Sequence, residues 1–101
     1  KAHVNMVSIS GRVLAQPEFF MTSKGTQWGR FYLNMREHWL DITKNDGLIT
    51  KIEVALYKPL LVQQAMLSIG QGTFVFDDGL IKYDWECIVI LAYNIQVIAG
   101  T

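Results

Sequence analysis

The stretch Gln27-Trp28-Gly29-Arg30-Phe31-Tyr32-Leu33-Asn34-Met35-Arg36 decides the fold class. Its apolar residues Phe31, Leu33 and Met35 alternate with Arg30, Tyr32, Asn34 and Arg36. A period of two sends successive side chains to opposite faces of a strand. The run from Gln27 to Trp39 is therefore predicted as a half-buried strand, with one face toward a core and the other carrying cations, an aromatic ring and an amide.

Working outward, Val4 to Ala15 is rich in β-branched and apolar residues and reads as a long strand, with Gly11 at a bulge or bend where the strand turns a barrel corner. Pro17 breaks that ladder, and Ser23-Lys24-Gly25 supplies a turn before the strand at Gln27. Downstream, Asn45-Asp46-Gly47 is a reverse-turn signal, so a third strand is expected from about Ile49 to Tyr57 in a hairpin with the second. Pro59 suits the first turn of a helix, and Leu60, Leu61, Gln64, Ala65 and Leu67 form a helical stripe that ends at Gly70 and Gly72.

Thr73 to Phe76 is expected to be a fourth strand, and Asp77-Asp78-Gly79 a tight turn or bulge. Leu80 to Trp85 and Cys87 to Ala99 then complete the sheet as one long or interrupted strand. Three strands, a helix and two more strands do not fit a doubly wound parallel sheet, which needs regularly alternating helices. They fit an all-β, five-stranded Greek-key barrel with one short helix, occupying residues 1–101 as one domain. A small sandwich or an SH3-like barrel is the alternative, because strand order is not visible in the sequence. Phe31, Phe74 and Phe76 are assigned to the core.

The chain has 101 residues, half of them apolar, and nine Lys and Arg balance nine Asp and Glu. Zero net charge speaks against a polyanion binder, since phosphate affinity comes largely from Lys and Arg displacing counterions. The distribution is uneven. Residues 1–36 hold Lys1, Arg12, Lys24, Arg30 and Arg36 against Glu18, five minus one, whereas Asp77, Asp78, Asp84 and Glu86 outnumber Lys82 in the segment 77–86. No apolar run reaches the ~18 residues of a membrane helix, so no membrane partner is expected. Cys87, the one cysteine, has no partner for an internal disulfide, sits in an apolar run and fits a reducing intracellular compartment. His3 and His38 stand apart, without the spacing of a zinc site, so neither metal nor other cofactor is expected. There is no Ser-His-acid or Cys-His arrangement, no phosphate-cradling Gly-Lys-Ser loop and no magnesium-binding carboxylate cluster, so no enzyme activity and no catalytic residue are expected.

Several segments, in order, resemble one family. Asn5-Met6-Val7-Ser8-Ile9-Ser10-Gly11-Arg12, followed by Pro17-Glu18, is similar to the opening strand of bacterial and mitochondrial single-stranded DNA-binding proteins, with Gln16 in place of the usual Asp. The Gly-rich turn Ser23-Lys24-Gly25 and the strand ending near Trp39 resemble the next segment; Val54 to Lys58, Gly70 to Val75, Gly79 to Glu86 and Asn94 to Ile98 continue the likeness. The resemblance implies an oligonucleotide-binding (OB) fold that holds unpaired nucleic acid on outward aromatics, here matched by Trp39, Tyr57 and Trp85. Where many members carry a further Trp, this chain has Lys51.

Sequence-tolerant binding of single-stranded nucleic acid, DNA or RNA, is the expected function, with stacking on those three rings and Arg30, Arg36, Lys51 and Lys82 near the phosphates. Arg30 and Arg36 share their strand face with Tyr32. Trp28, which lacks an aromatic counterpart in the family and precedes the strand in the turn region, either stacks a base or is buried against a neighbouring subunit. The family implies homo-oligomers, dimers or tetramers, and the apolar closing strand fits coverage by a partner. A bacterial cytoplasm or nucleoid, or a mitochondrial matrix, is the expected location. A second reading is a barrel of the same shape serving as a protein-interaction module in a larger nucleic-acid machine such as a primosome or an RNA-editing complex, through homo- or hetero-oligomer contacts at its edges.

Overall fold

A computed structural model describes residues 5–35, 51–84 and 87–99. The elements in chain order are β1 (Val7–Arg12), β2 (Glu18–Met21), β3 (Gln27–Asn34), β4 (Lys51–Leu56), α1 (Pro59–Ser68), β5 (Phe74–Asp84) and β6 (Cys87–Ala99). They form a six-stranded sheet in the order β1-β5-β6-β4-β3-β2, in which only β4 and β6 run parallel. Among the described residues the fold is all-β with one helix, as expected, but the sheet has six strands and not five. The additional strand is β2: past Pro17 the chain pairs again, Glu18 to Met21 against Arg30 to Gln27.

Closure also differs from a continuous barrel ladder. The sheet curls until the end of β1 meets β3 through one bridge, Val13 to Leu33, and a hydrogen bond from the Leu14 N–H to the Tyr32 carbonyl at 2.9 Å. Gly11 permits that approach, because a Cβ there would stand 2.7 Å from the Asn34 carbonyl oxygen. The expected bend at Gly11 is thus a point where two strands cross closely.

The expected fourth strand at Thr73–Phe76 and the segment Leu80 to Asp84 are one strand, β5, and β6 is a separate strand antiparallel to it. The irregularity at Asp77-Asp78-Gly79 is a bulge, not a turn: Asp78 pairs with Asn94 and Gly79 with Ala92, so Tyr93 of β6 is the extra residue. The bulge explains why Ile90 and Ala92 face inward before it, and Ile95 after it.

The core follows the alternation of β3. Phe31 and Leu33 are buried together with Val54 and Leu56 of β4, Val75 of β5, and Ile90 and Ile95 of β6. Full burial of each such side chain contributes about 1.5–3 kcal/mol. Helix α1 covers one end, opening on Pro59 and burying Leu61, Val62 and Ala65, while the Gln64 amide donates to the Ile95 carbonyl at 2.9 Å. Leu60 and Leu67, expected in the buried stripe, are instead 78% and 84% exposed, since the inward face runs through positions 61, 62 and 65. Phe76, expected in the core, lies on the outer side of β5 and is exposed; Phe74 is half-buried beneath the Arg12 guanidinium. Cys87, although it sits in an apolar run, is exposed. No helix among the described residues is long and apolar enough to cross a membrane.

Asp77 is buried within β5, opposite Ile9 on one side and Ile95 on the other, and neither carboxylate oxygen has a hydrogen-bond partner. Burial, assisted by the neighbouring Asp78, raises its pKa to about 7. A turn residue would have been solvated; placement in mid-strand with inward parity leaves Asp77 dry.

Candidate nucleic-acid interface

The hairpin joining β2 to β3 sets the site. Thr22 accepts at its carbonyl from the Gly25 N–H at 2.9 Å, and its N–H donates to the Thr26 carbonyl at 2.8 Å. Gly25 adopts φ +85°, a left-handed conformation for which glycine has no steric cost. This tight reversal puts Glu18 opposite Arg30 and Phe20 opposite Trp28, all four on the outer face. The next pairing, β3 with β4, brings Tyr32 opposite Glu53 and Asn34 opposite Lys51, so Lys51, Glu53, Ala55 and then Tyr57 share the same side.

Three rings stack there in a column. Trp28 lies between Phe20, at 4.6 Å between centroids, and Tyr57, at 5.3 Å with planes inclined by 13°. Cations lie against the rings of this face: the Arg30 guanidinium is 5.2 Å from the Phe20 ring centre and 5.9 Å from that of the neighbouring Tyr32, and Lys51 Nζ is 5.1 Å from Tyr32. Beside the column is a recess of about 300 Å³ with walls from Trp28 and Tyr57, a floor of Ala55, Val89 and Leu91, and Glu53, Lys82 and Cys87 around it.

Two carboxylates temper these cations. Glu18 accepts a hydrogen bond from Arg30 Nε at 2.8 Å, which holds the guanidinium proton more firmly than usual. Tyr32 donates to Glu53 at 3.5 Å, and burial foremost, with the Glu53 charge second, raises the phenol pKa, so the hydroxyl stays protonated.

Of the expected site residues, Trp28, Arg30, Tyr32, Lys51, Tyr57 and Lys82 come together on this face. Trp39, Arg36 and Trp85 lie outside the described residues. Trp28 belongs to β3 and not to the preceding turn region. Reading Arg30 as free for phosphate is incomplete, since Glu18 already occupies its Nε. Sequence reasoning missed Phe20, Glu18 and Glu53. Phe20 was legible in principle, because Phe20 and Trp28 are equally spaced about the turn centred on Lys24. Among the described residues no group of three or more His, Cys, Asp or Glu side chains is placed to hold a metal ion.

No family model matches the sequence, and no curated protein matches it. Solved structures do. The mitochondrial single-stranded DNA-binding protein Rim1 of S. cerevisiae is similar with a TM-score of 0.78 at 9% identity, over 99% of this chain and 100% of that one. Single-stranded DNA-binding protein of Plasmodium falciparum, solved in complex with single-stranded DNA, is similar with a TM-score of 0.71 at 18% identity, over 100% and 98%. The Thermus aquaticus protein gives 0.75 at 17% identity, over 97% of this chain and 42% of that one. At these identities the likeness shows the fold, which is the OB fold of single-stranded DNA-binding proteins.

Proposed function

We propose that this chain binds single-stranded nucleic acid on the outer face of β2, β3 and β4, by base stacking on the exposed Tyr57 ring at the end of the aromatic column, with Trp28 supporting that ring from behind, and by phosphate contacts from Lys51, Lys82 and Arg30. The observation that carries the proposal is the column Phe20-Trp28-Tyr57, flanked by cations on the outside of a curved sheet. Every base has a π face, so the exposed end of such a column accepts any sequence, and stacking contributes about 1–3 kcal/mol per base. The fold shared with proteins named for single-stranded DNA binding supports DNA as the ligand. Stacking and phosphate contacts do not read the sugar, so RNA is a ligand of the same chemistry. No enzyme activity is assigned. The proposed setting is an intracellular reducing compartment, in a homo-oligomer.

Titration with oligo-dT is the test. Tryptophan fluorescence is expected to quench, and the affinity to fall steeply with salt. Absence of quenching and of binding at low salt overturns the proposal.

A second reading, a protein-interaction module, is favoured by Leu60 and Leu67, which leave α1 with an apolar outward face. Tight association with a protein partner and no oligonucleotide binding would select it.

A further inference from the structure

A surface made only to meet phosphates gains nothing from a carboxylate at its centre, yet Glu53 stands there. It projects outward from β4 between Lys51 and Ala55, opposite Tyr32. Its described hydrogen bond, from the Tyr32 hydroxyl at 3.5 Å, is long and therefore weak. Among the described residues the only ion pair is that of Arg30 with Glu18, so Glu53 has no direct ion-pair partner and feels the Arg30 charge only through space. The carboxylate thus keeps most of its accepting capacity, and it lines the recess beside Trp28 and Tyr57.

The recess has the parts of a seat for one flat heterocycle. Ala55 and Leu91 give it an apolar floor, Trp28 and Tyr57 an aromatic wall, Lys82 a cation for an adjoining phosphate, and Glu53 an acceptor. An ionised carboxylate has no proton to donate. It attracts an edge that presents N–H groups and repels one that presents carbonyl oxygens. Cytosine, adenine and guanine each carry an exocyclic amine, the group to which Glu and Asp bind when they read cytosine in duplex DNA. Thymine and uracil have none, and their one ring N–H is flanked by two carbonyls.

We infer that Glu53 is a specificity-determining residue, and that the recess takes an amine-bearing base in preference to thymine or uracil. The inference rests on the proposed single-strand binding and adds one selective position to an otherwise tolerant surface.

The test compares oligo-dT with oligonucleotides of the same length carrying one central cytosine, adenine or guanine, for the unaltered chain and for Glu53→Gln. The unaltered chain is expected to bind the substituted strands about tenfold more tightly than oligo-dT. Glu53→Gln, whose amide both donates and accepts, is expected to bind all of them alike. Equal binding of all strands by the unaltered chain overturns the inference and leaves single-strand binding standing. A preference that survives Glu53→Gln overturns the assignment to Glu53. Failure to bind any strand removes the underlying reading as well.

Discussion

Trp28 of β3 and Tyr57, the residue after β4, lie nearly parallel with ring centres 5.3 Å apart, although they are separated by 29 positions in the chain. The contact exists because Gly29 of β3 pairs with Leu56 of β4, which leaves the two rings as outward neighbours. Each ring is therefore ordered before a ligand arrives, and less side-chain entropy remains to be lost on binding.

Removing the middle ring should weaken binding without unfolding the sheet. Trp28→Ala is expected to lower oligonucleotide affinity by roughly 1–3 kcal/mol. Phe31→Ala, three residues on but inward, is expected to lower stability by about 3–5 kcal/mol. Titration and thermal unfolding of the two variants separate the roles; equal affinity in Trp28→Ala would count against the platform.

Glu18 restrains Arg30, so its removal should strengthen phosphate binding. Glu18→Gln takes away the charge while keeping a side chain of the same shape, and the guanidinium becomes available to a backbone phosphate. Affinity for oligo-dT at low salt is expected to rise, and the slope of log affinity against log salt to steepen by about one unit. An unchanged slope would show that Arg30 does not face the strand.

Asp77 makes stability fall as pH rises. Its folded pKa of about 7 lies above the ordinary 3.8, so the folded state binds the extra proton between those values. Stability due to this group is fully present below pH ~4 and declines by roughly 1.4 kcal/mol per unit until about pH 7, above which the loss is complete. Asp77→Asn is expected to flatten the curve, so that the difference between variant and unaltered chain grows from pH 5 to pH 8 in denaturant unfolding. A constant difference would mean that the carboxylate is solvated.

Gly11 tests the crossing of β1 over β3. A Cβ would stand 2.7 Å from the Asn34 carbonyl, a backbone atom that cannot rotate away. Gly11→Ala is expected to cost about 1–3 kcal/mol, read as a lower melting temperature. A neutral outcome would show that the crossing is loose.

Residues 27–35 alone specify a half-buried strand, because strand pleating turns a period of two directly into faces; Phe31 and Leu33 are buried, and Arg30 and Tyr32 face outward as the alternation requires. Pro59 likewise announces the start of α1 through its missing amide hydrogen. These are local rules, readable from residue order.

What the tertiary structure alone decided depends on register. The bulge at Tyr93 resets which residues of β6 face inward, the pairing of β2 with β3 brings Phe20 and Glu18 into the site, and inward parity buries Asp77. Local composition carries no such information, because hydrogen bonds between strands are made by backbone groups common to every residue, and a shift of one position exchanges the two faces. The strands β1, β3 and β4 and the helix were therefore legible in the order of the amino acids, whereas β2, the division between β5 and β6, the stacked column, the restrained Arg30 and the acceptor at Glu53 arise only where distant strands pair.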